Sequence, residues 1–155
     1  MHVTVVAVGL RQPEWADAAV KDYLARFPKD FSVSVKEVKA EPRNGQTAAK
    51  LMQAEAERIR KAIPAGDIGV ALDEHGRDLT TMDFAKKIDG WKNEGCGVTL
   101  LIGGADGLDP ELKKSARMML RISSMTLPHA FARVLLCEQI YRAWSILNNH
   151  PYHRV

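Results

Sequence analysis

Two rhythms of apolar positions alternate along the chain, and their order predicts the architecture. His2 to Val8 is a Val-rich run closed by Gly9 and predicts a strand. From Pro13 the spacing lengthens. Trp15, Ala19, Tyr23 or Leu24 and Phe27 recur every three or four residues, predicting a helix from Pro13 through Phe27 that Pro28-Lys29-Asp30 stops. Phe31 to Val38 returns to alternation, with Phe31, Val33 and Val35 against Ser32, Ser34 and Lys36, the pattern of a half-buried strand. Pro42 and Asn44-Gly45 mark a loop before a helix over Thr47 to Ile63, which Pro64-Ala65-Gly66 ends. Ile68 to Leu72 predicts a short apolar strand, Thr80 or Thr81 caps a helix ending near Gly95, and Val98 to Ile102 is another continuous apolar strand. Asp109 and Pro110 supply the N-cap and first turn of a helix to about Met119. Arg121 to Leu127 reads as a further strand, and Pro128 leads into a long last helix, His129 to Asn148.

Strands that are apolar on both sides belong inside a parallel sheet covered by helices on both faces. The alternation therefore predicts an α/β fold with a mainly parallel sheet of about five strands, and 155 residues fit a single domain over 1–155. The last helix adds a demand of its own. Between Phe131 and Leu147 twelve of seventeen residues are apolar, more than the one stripe a surface helix needs. The sheet can cover one side, and a second copy of the chain is the economical cover for the other. Glu138, Arg142 and Ser145 interrupt this surface as one narrow ridge. Either they form an ion pair on a solvated face, or they are a polar line inside an interface or site.

With 46% hydrophobic and 26% charged residues the composition is that of a globular domain, which excludes disorder and collagen-like repeats. The apolar runs are too short to span a membrane. No secretory leader is expected at the N-terminus, so a soluble cytoplasmic protein is expected. Cys96 and Cys137 form no C-x-x-C pair and read as buried, unreactive thiols. The net charge of +3 says little until it is located. Residues 1–110 carry 15 basic and 17 acidic side chains, whereas the last 45 residues carry 7 basic and 2 acidic. A polyanion would be drawn to the C-terminal third.

Three segments carry candidate chemistry: Leu72-Asp73-Glu74-His75-Gly76 at the end of one predicted strand, Gly103-Gly104-Ala105-Asp106-Gly107 after another, and Ile122-Ser123-Ser124-Met125-Thr126-Leu127-Pro128 before the last helix. Ligands of open α/β sheets bind beyond the carboxyl ends of the strands, and neighbouring strands would bring these three loops to one edge. Glycines, small hydroxyls and exposed amides suit a nucleoside-sized ligand. The glycine spacing is neither the dinucleotide fingerprint nor a phosphate loop. Asp73, Glu74 and His75, or His150 and His153, lack a further ligand set, so no metal is expected. The tail His150-Pro151-Tyr152-His153-Arg154-Val155 combines groups that stack on bases, hold phosphate and move protons.

The runs LLIGGADGLDPELKKSA and SSMTLPHAFARVLLCEQIYRAWSILNNHPYHRV, with VAVG at Val6 to Gly9, YLARFPKD at Tyr23 to Asp30 and LDEHG at Leu72 to Gly76, resemble the bacterial RlmH family of SPOUT methyltransferases across nearly the whole chain. Ala105-Asp106 departs from the Pro-Glu that members often carry there. The resemblance implies a C-terminal trefoil knot, a homodimer, and S-adenosylmethionine-dependent methylation of N3 of a pseudouridine in 23S ribosomal RNA, with the assembled ribosome as substrate. By position it implies methyl-donor contacts from Leu72, Gly103 or Gly104, and Ile122, Ser123, Ser124, Met125, Thr126 and Leu127. The imide N3 must lose its proton before or during attack, so Glu138 or His153 is the candidate base. Arg142 or Arg154 would favour the anionic base and grip phosphate. His129 and Tyr152 are candidates for orienting and stacking on the RNA. A knotted RNA-binding module without catalysis, an α/β enzyme of another nucleotide and a transfer-RNA methyltransferase are the competing readings.

Overall fold

Five strands, all parallel, form one sheet in the order β2-β1-β4-β3-β5. The structure, a computed structural model, describes residues 1–154, so Val155 of the predicted tail lies outside the described residues. In chain order the elements are β1 (His2–Val8), α1 (Glu14–Ala25), β2 (Ser32–Val38), α2 (Ala48–Ala62), β3 (Ile68–Asp78), α3 (Thr81–Asn93), β4 (Val98–Ile102), α4 (Pro110–Ser115), β5 (Met118–Arg121) and α5 (His129–Leu147), followed by a 3-10 turn at Pro151–His153. The period of two in the apolar strands divides the core. Val3, Val5, Ala7, Val70, Val98, Leu100 and Ile102 face α3 and α5, whereas Val6, Val8, Ala71 and Leu101 face α2 and α4. Helices start where the sequence supplies a cap: the Thr47, Thr80 and Asp109 side chains accept from the amides of Lys50, Asp83 and Leu112. Among the described residues, no helix is long and apolar enough to cross a membrane.

The predicted α/β architecture is present, with two corrections near its end. α4 stops at Ser115 rather than near Met119, and the last strand is Met118–Arg121 rather than Arg121 to Leu127. Met118, Met119 and Leu120 pair with Val70, Ala71 and Leu72 along the outer edge of β3, a partnership that a short apolar run does not announce. Ile122 to Pro128 is a loop, in which the Met125 amide donates to Ser123 Oγ at 3.0 Å. The third strand also runs past its expected end at Leu72. Leu72 and Arg77 both lie opposite Leu120, so Asp73 to Gly76 arches out of the ladder. Gly76 rests on the backbone of β5, where a Cβ would come within 2.7 Å of the Leu120 carbonyl carbon.

α5 packs against both α1 and α3. It ends with Asn149 at φ 52, the His150 amide donating to Ser145 O at 2.9 Å and the Asn149 amide to Ile146 O at 3.4 Å. This is a Schellman closure with Asn in the left-handed position, and Pro151 follows it.

Candidate functional site

β4, β3 and β5 are neighbours, so the three candidate segments leave the same edge of the sheet. Beside that edge lies a cavity of about 280 Å³ between the β3–α3 connection, the end of β5 and α5. Leu79, Phe84, Leu120, Leu127, Leu135 and Leu136 give it apolar walls; Thr80, Thr81, Arg121, Ser123 and Gln139 supply the polar groups. Ile122, Ser123 and Leu127 of the predicted set line the cavity, whereas Ser124, Met125 and Thr126 lie further along the same loop. Leu72 packs against the α3/α5 core. Gly103 abuts Gly107 and Leu108, where a Cβ would lie 2.5 Å from the Gly107 carbonyl carbon, and Gly104 sits against the Glu55 carboxylate.

The sequence pattern places Arg121 at the start of a strand and misses its chemistry. Its Nη2 pairs with Asp78 at 3.1 Å, while its buried Nε has no partner among the described residues. A buried N–H without a partner at the wall of a cavity is suited to a ligand acceptor. On the arch, burial pushes Asp73 up, but the His75 amide at 2.9 Å and Lys113 Nζ at 3.1 Å hold its carboxyl below the ordinary value overall. Glu74 and His75 project into solvent. Among the described residues, no group of three or more side chains is placed to hold a metal ion.

Gln139, also missed, connects the cavity to the tail. Thr81 Oγ1 donates to Gln139 Oε1 at 2.8 Å, and Gln139 Nε2 donates to Glu138 Oε1 at 2.9 Å. Arg142 Nε reaches Glu138 Oε1 at 3.0 Å, and the Tyr152 hydroxyl reaches Glu138 Oε2 at 3.4 Å. The only sequence signal for Gln139 is a second polar residue breaking an apolar helix. Both readings of the Glu138–Arg142–Ser145 ridge contain part of the outcome. The first two residues form the i,i+4 pair, and Ser145 is fully buried beneath the tail.

The tail folds back on α5. Tyr152 stacks edge-on against Tyr141 at 4.6 Å, shares a hydrogen bond of 2.9 Å with Tyr23, and lies under the Arg142 guanidinium at 5.0 Å. Burial, the Tyr23 hydroxyl and Glu138 push the Tyr152 phenol well above its ordinary value, so it stays neutral. The hydrogen bond to Glu138 raises Arg142, which stays charged. His153 Nδ1 lies 2.8 Å from Ser145 Oγ, and the exposed Arg154 touches Asn149 at 3.5 Å.

His129 is placed elsewhere, at the start of α5. Its Nε2 is 3.0 Å from Arg133 Nη2, and its ring lies beside the Gly103 backbone. Arg133, 2% exposed, forms an ion pair with Glu37 and donates to Gly9 O at 3.2 Å. Cys137, one turn on, is buried and its thiol is pushed up to about 12, so it is inert at neutral pH. Cys96 is partly exposed.

Residues 1–153 match the family described as "Predicted SPOUT methyltransferase". The chain is 52% identical over 155 residues to the ribosomal RNA large subunit methyltransferase H of Bordetella avium, with 99% of each chain covered. It is 53% identical over 156 residues to the protein of the same name from Ralstonia nicotianae, with 100% of each covered. A solved structure of "a probable methylase family protein from Haemophilus influenzae Rd KW20" superposes with a TM-score of 0.59 at 14% identity, covering 99% of this chain and 70% of that one, a likeness of fold alone.

Proposed function

The chain belongs to the SPOUT methyltransferase family, and from that premise we propose that it methylates N3 of a pseudouridine in 23S ribosomal RNA, on the assembled ribosome, using S-adenosylmethionine. The observation that carries this reading is the continuity along α5. The helix that walls the cavity through Leu135, Leu136 and Gln139 holds the tail's aromatic, cationic and imidazole groups two turns later.

The residues around the cavity fit the donor. Apolar walls suit an adenosine ring, small hydroxyls suit a ribose, and the unpartnered Arg121 Nε suits a carboxylate. When bound, S-adenosylmethionine supplies a methyl carbon on a positively charged sulfur, which demands in-line approach of the nucleophile.

The acceptor side belongs to the tail. Both Glu138 oxygens already accept hydrogen bonds from within the protein, so their lone pairs are committed. His153 has one ring nitrogen bonded to Ser145 and is the better-placed base for the N3 proton. Arg142 opposes the negative charge that develops on the pyrimidine, Tyr152 offers a ring for stacking, and Arg154 a cation for phosphate.

The reading includes a homodimer and a knotted path. Trp15, Phe131 and Leu135 are 47%, 49% and 37% exposed and form one apolar patch, with the Trp15 and Phe131 rings 4.7 Å apart. A second copy would cover that patch and add its own RNA contacts. Trp144, by contrast, is stacked on Tyr141 and packs against the core. A knotted chain would pass from β5, the outer strand, to α5, which packs against both α1 and α3, by crossing the β3–α3 connection within the loop Ile122 to Pro128. Such a crossing is what a trefoil requires.

Ribosomes from cells lacking this protein, incubated with it and S-adenosylmethionine, are expected to gain one methyl group, at N3 of a 23S pseudouridine. Transfer to transfer RNA but not to ribosomes, or no binding of the donor in calorimetry, would overturn the proposal.

A further inference from the structure

A hydroxyl group has one hydrogen to give and two lone pairs to offer. The Ser145 hydroxyl, buried completely in the last turn of α5, makes three contacts, and together they leave a single arrangement of hydrogens. Its oxygen lies 2.8 Å from the carbonyl oxygen of His150, which can only accept, so the one hydroxyl hydrogen is committed there. The backbone amide of His153 donates to the same oxygen at 3.1 Å and occupies one lone pair. The remaining contact, with His153 Nδ1 at 2.8 Å, is attractive only if that nitrogen carries a hydrogen. A bare Nδ1 would set lone pair against lone pair.

We propose that Ser145 is a positioning residue that holds neutral His153 as the Nδ1–H tautomer and so leaves Nε2 as the free proton acceptor of the tail. This rests on the reading of His153 as the base. Among the described residues no group hydrogen-bonds His153 Nε2. The main chain fixes the ring's location. The Schellman closure at Asn149, the His150–Ser145 backbone bond and the turn at Pro151–His153 bring residue 153 back over residue 145. The hydroxyl then selects which edge of the ring is bare. Reversal of the hydroxyl would place the hydrogen on Nε2, turning an acceptor into a donor toward the RNA.

Long-range 1H–15N spectra of the full-length protein labelled in histidine, recorded where His153 is neutral, read the tautomer directly. His153 is assigned by the signal lost in His153→Asn. The wild type is expected to show a protonated Nδ1 and a bare Nε2, Ser145→Thr to keep that pattern, and Ser145→Ala to shift toward Nε2–H. In Ser145→Ala, kcat is expected to fall about tenfold with the KM for S-adenosylmethionine unchanged. Wild-type protein carrying its proton on Nε2, or a tautomer ratio indifferent to Ser145→Ala, would overturn the proposal. Undiminished methylation by His153→Asn would instead remove the catalytic reading of the imidazole, while the spectra still decided the tautomer.

Discussion

The two halves of α5 use the same kinds of residue to opposite ends. In the first half His129 is bonded to Arg133 and lies beside the Gly103 backbone, and Arg133 is bonded in turn to Glu37 and Gly9. This network ties the helix start to the ends of β1 and β2 and sets the half-buried imidazole of His129 against a cation and the turn after β4. The second half instead holds His153 of the turn that follows the helix, and among the described residues that ring is bonded on one edge only. The outward faces differ as well, apolar at Phe131 and Leu135, charged at Glu138 and Arg142. A histidine is therefore available for chemistry by virtue of what its second nitrogen touches, which neither its residue type nor its location on an important helix reveals.

Three measurements would break or sharpen that contrast. Arg133→Ala should have the largest effect on stability. It removes a buried cation while Glu37 keeps access to water, so the loss is expected at the lower end of the range for broken buried pairs, about 3 kcal/mol by denaturant unfolding. A neutral result would show that the first half is not held by this network. Phe131→Asp should weaken the proposed self-association by about 30-fold or more, equivalent to ~2 kcal/mol, in sedimentation experiments. An intact dimer would place the interface elsewhere.

The smallest effect concerns pH. Burial and the neighbouring Arg133 hold His129 below its ordinary value of 6.5, against the opposing pull of the Gly103 backbone. The unfolded chain takes up a proton near that value while the folded state resists it. Stability is thus full above pH 6.5 and falls as the pH drops through it. His129→Gln should flatten this part of the stability profile, as measured by denaturant unfolding across pH.

Much of the site region was legible because the signals were local. Val98 to Ile102 followed by Gly103-Gly104 reads directly as a buried strand and a close turn, and the Glu138–Arg142 pair follows from helical spacing. The segment Ala116 to Leu127 was not legible. Met118, Met119 and Leu120 suit a helix end or a strand equally, and only the open edge of β3 decides between them. Arg121, Gln139 and Tyr23 escaped for a related reason. Each acts through a partner far away in sequence: Tyr23 and Tyr152 are 129 positions apart, Thr81 and Gln139 58.

The sequence by itself determined the alternation of strands and helices, the caps, and the concentration of positive charge in the C-terminal third, because each depends on backbone preference or composition within a few neighbouring residues. Tertiary structure alone decided the strand order, the arch at Asp73 to Gly76, and which histidine keeps a free nitrogen. Those outcomes depend on hydrogen-bonding groups that are finite in number and directional. Which donor meets which acceptor is settled only when distant segments of the chain are brought together.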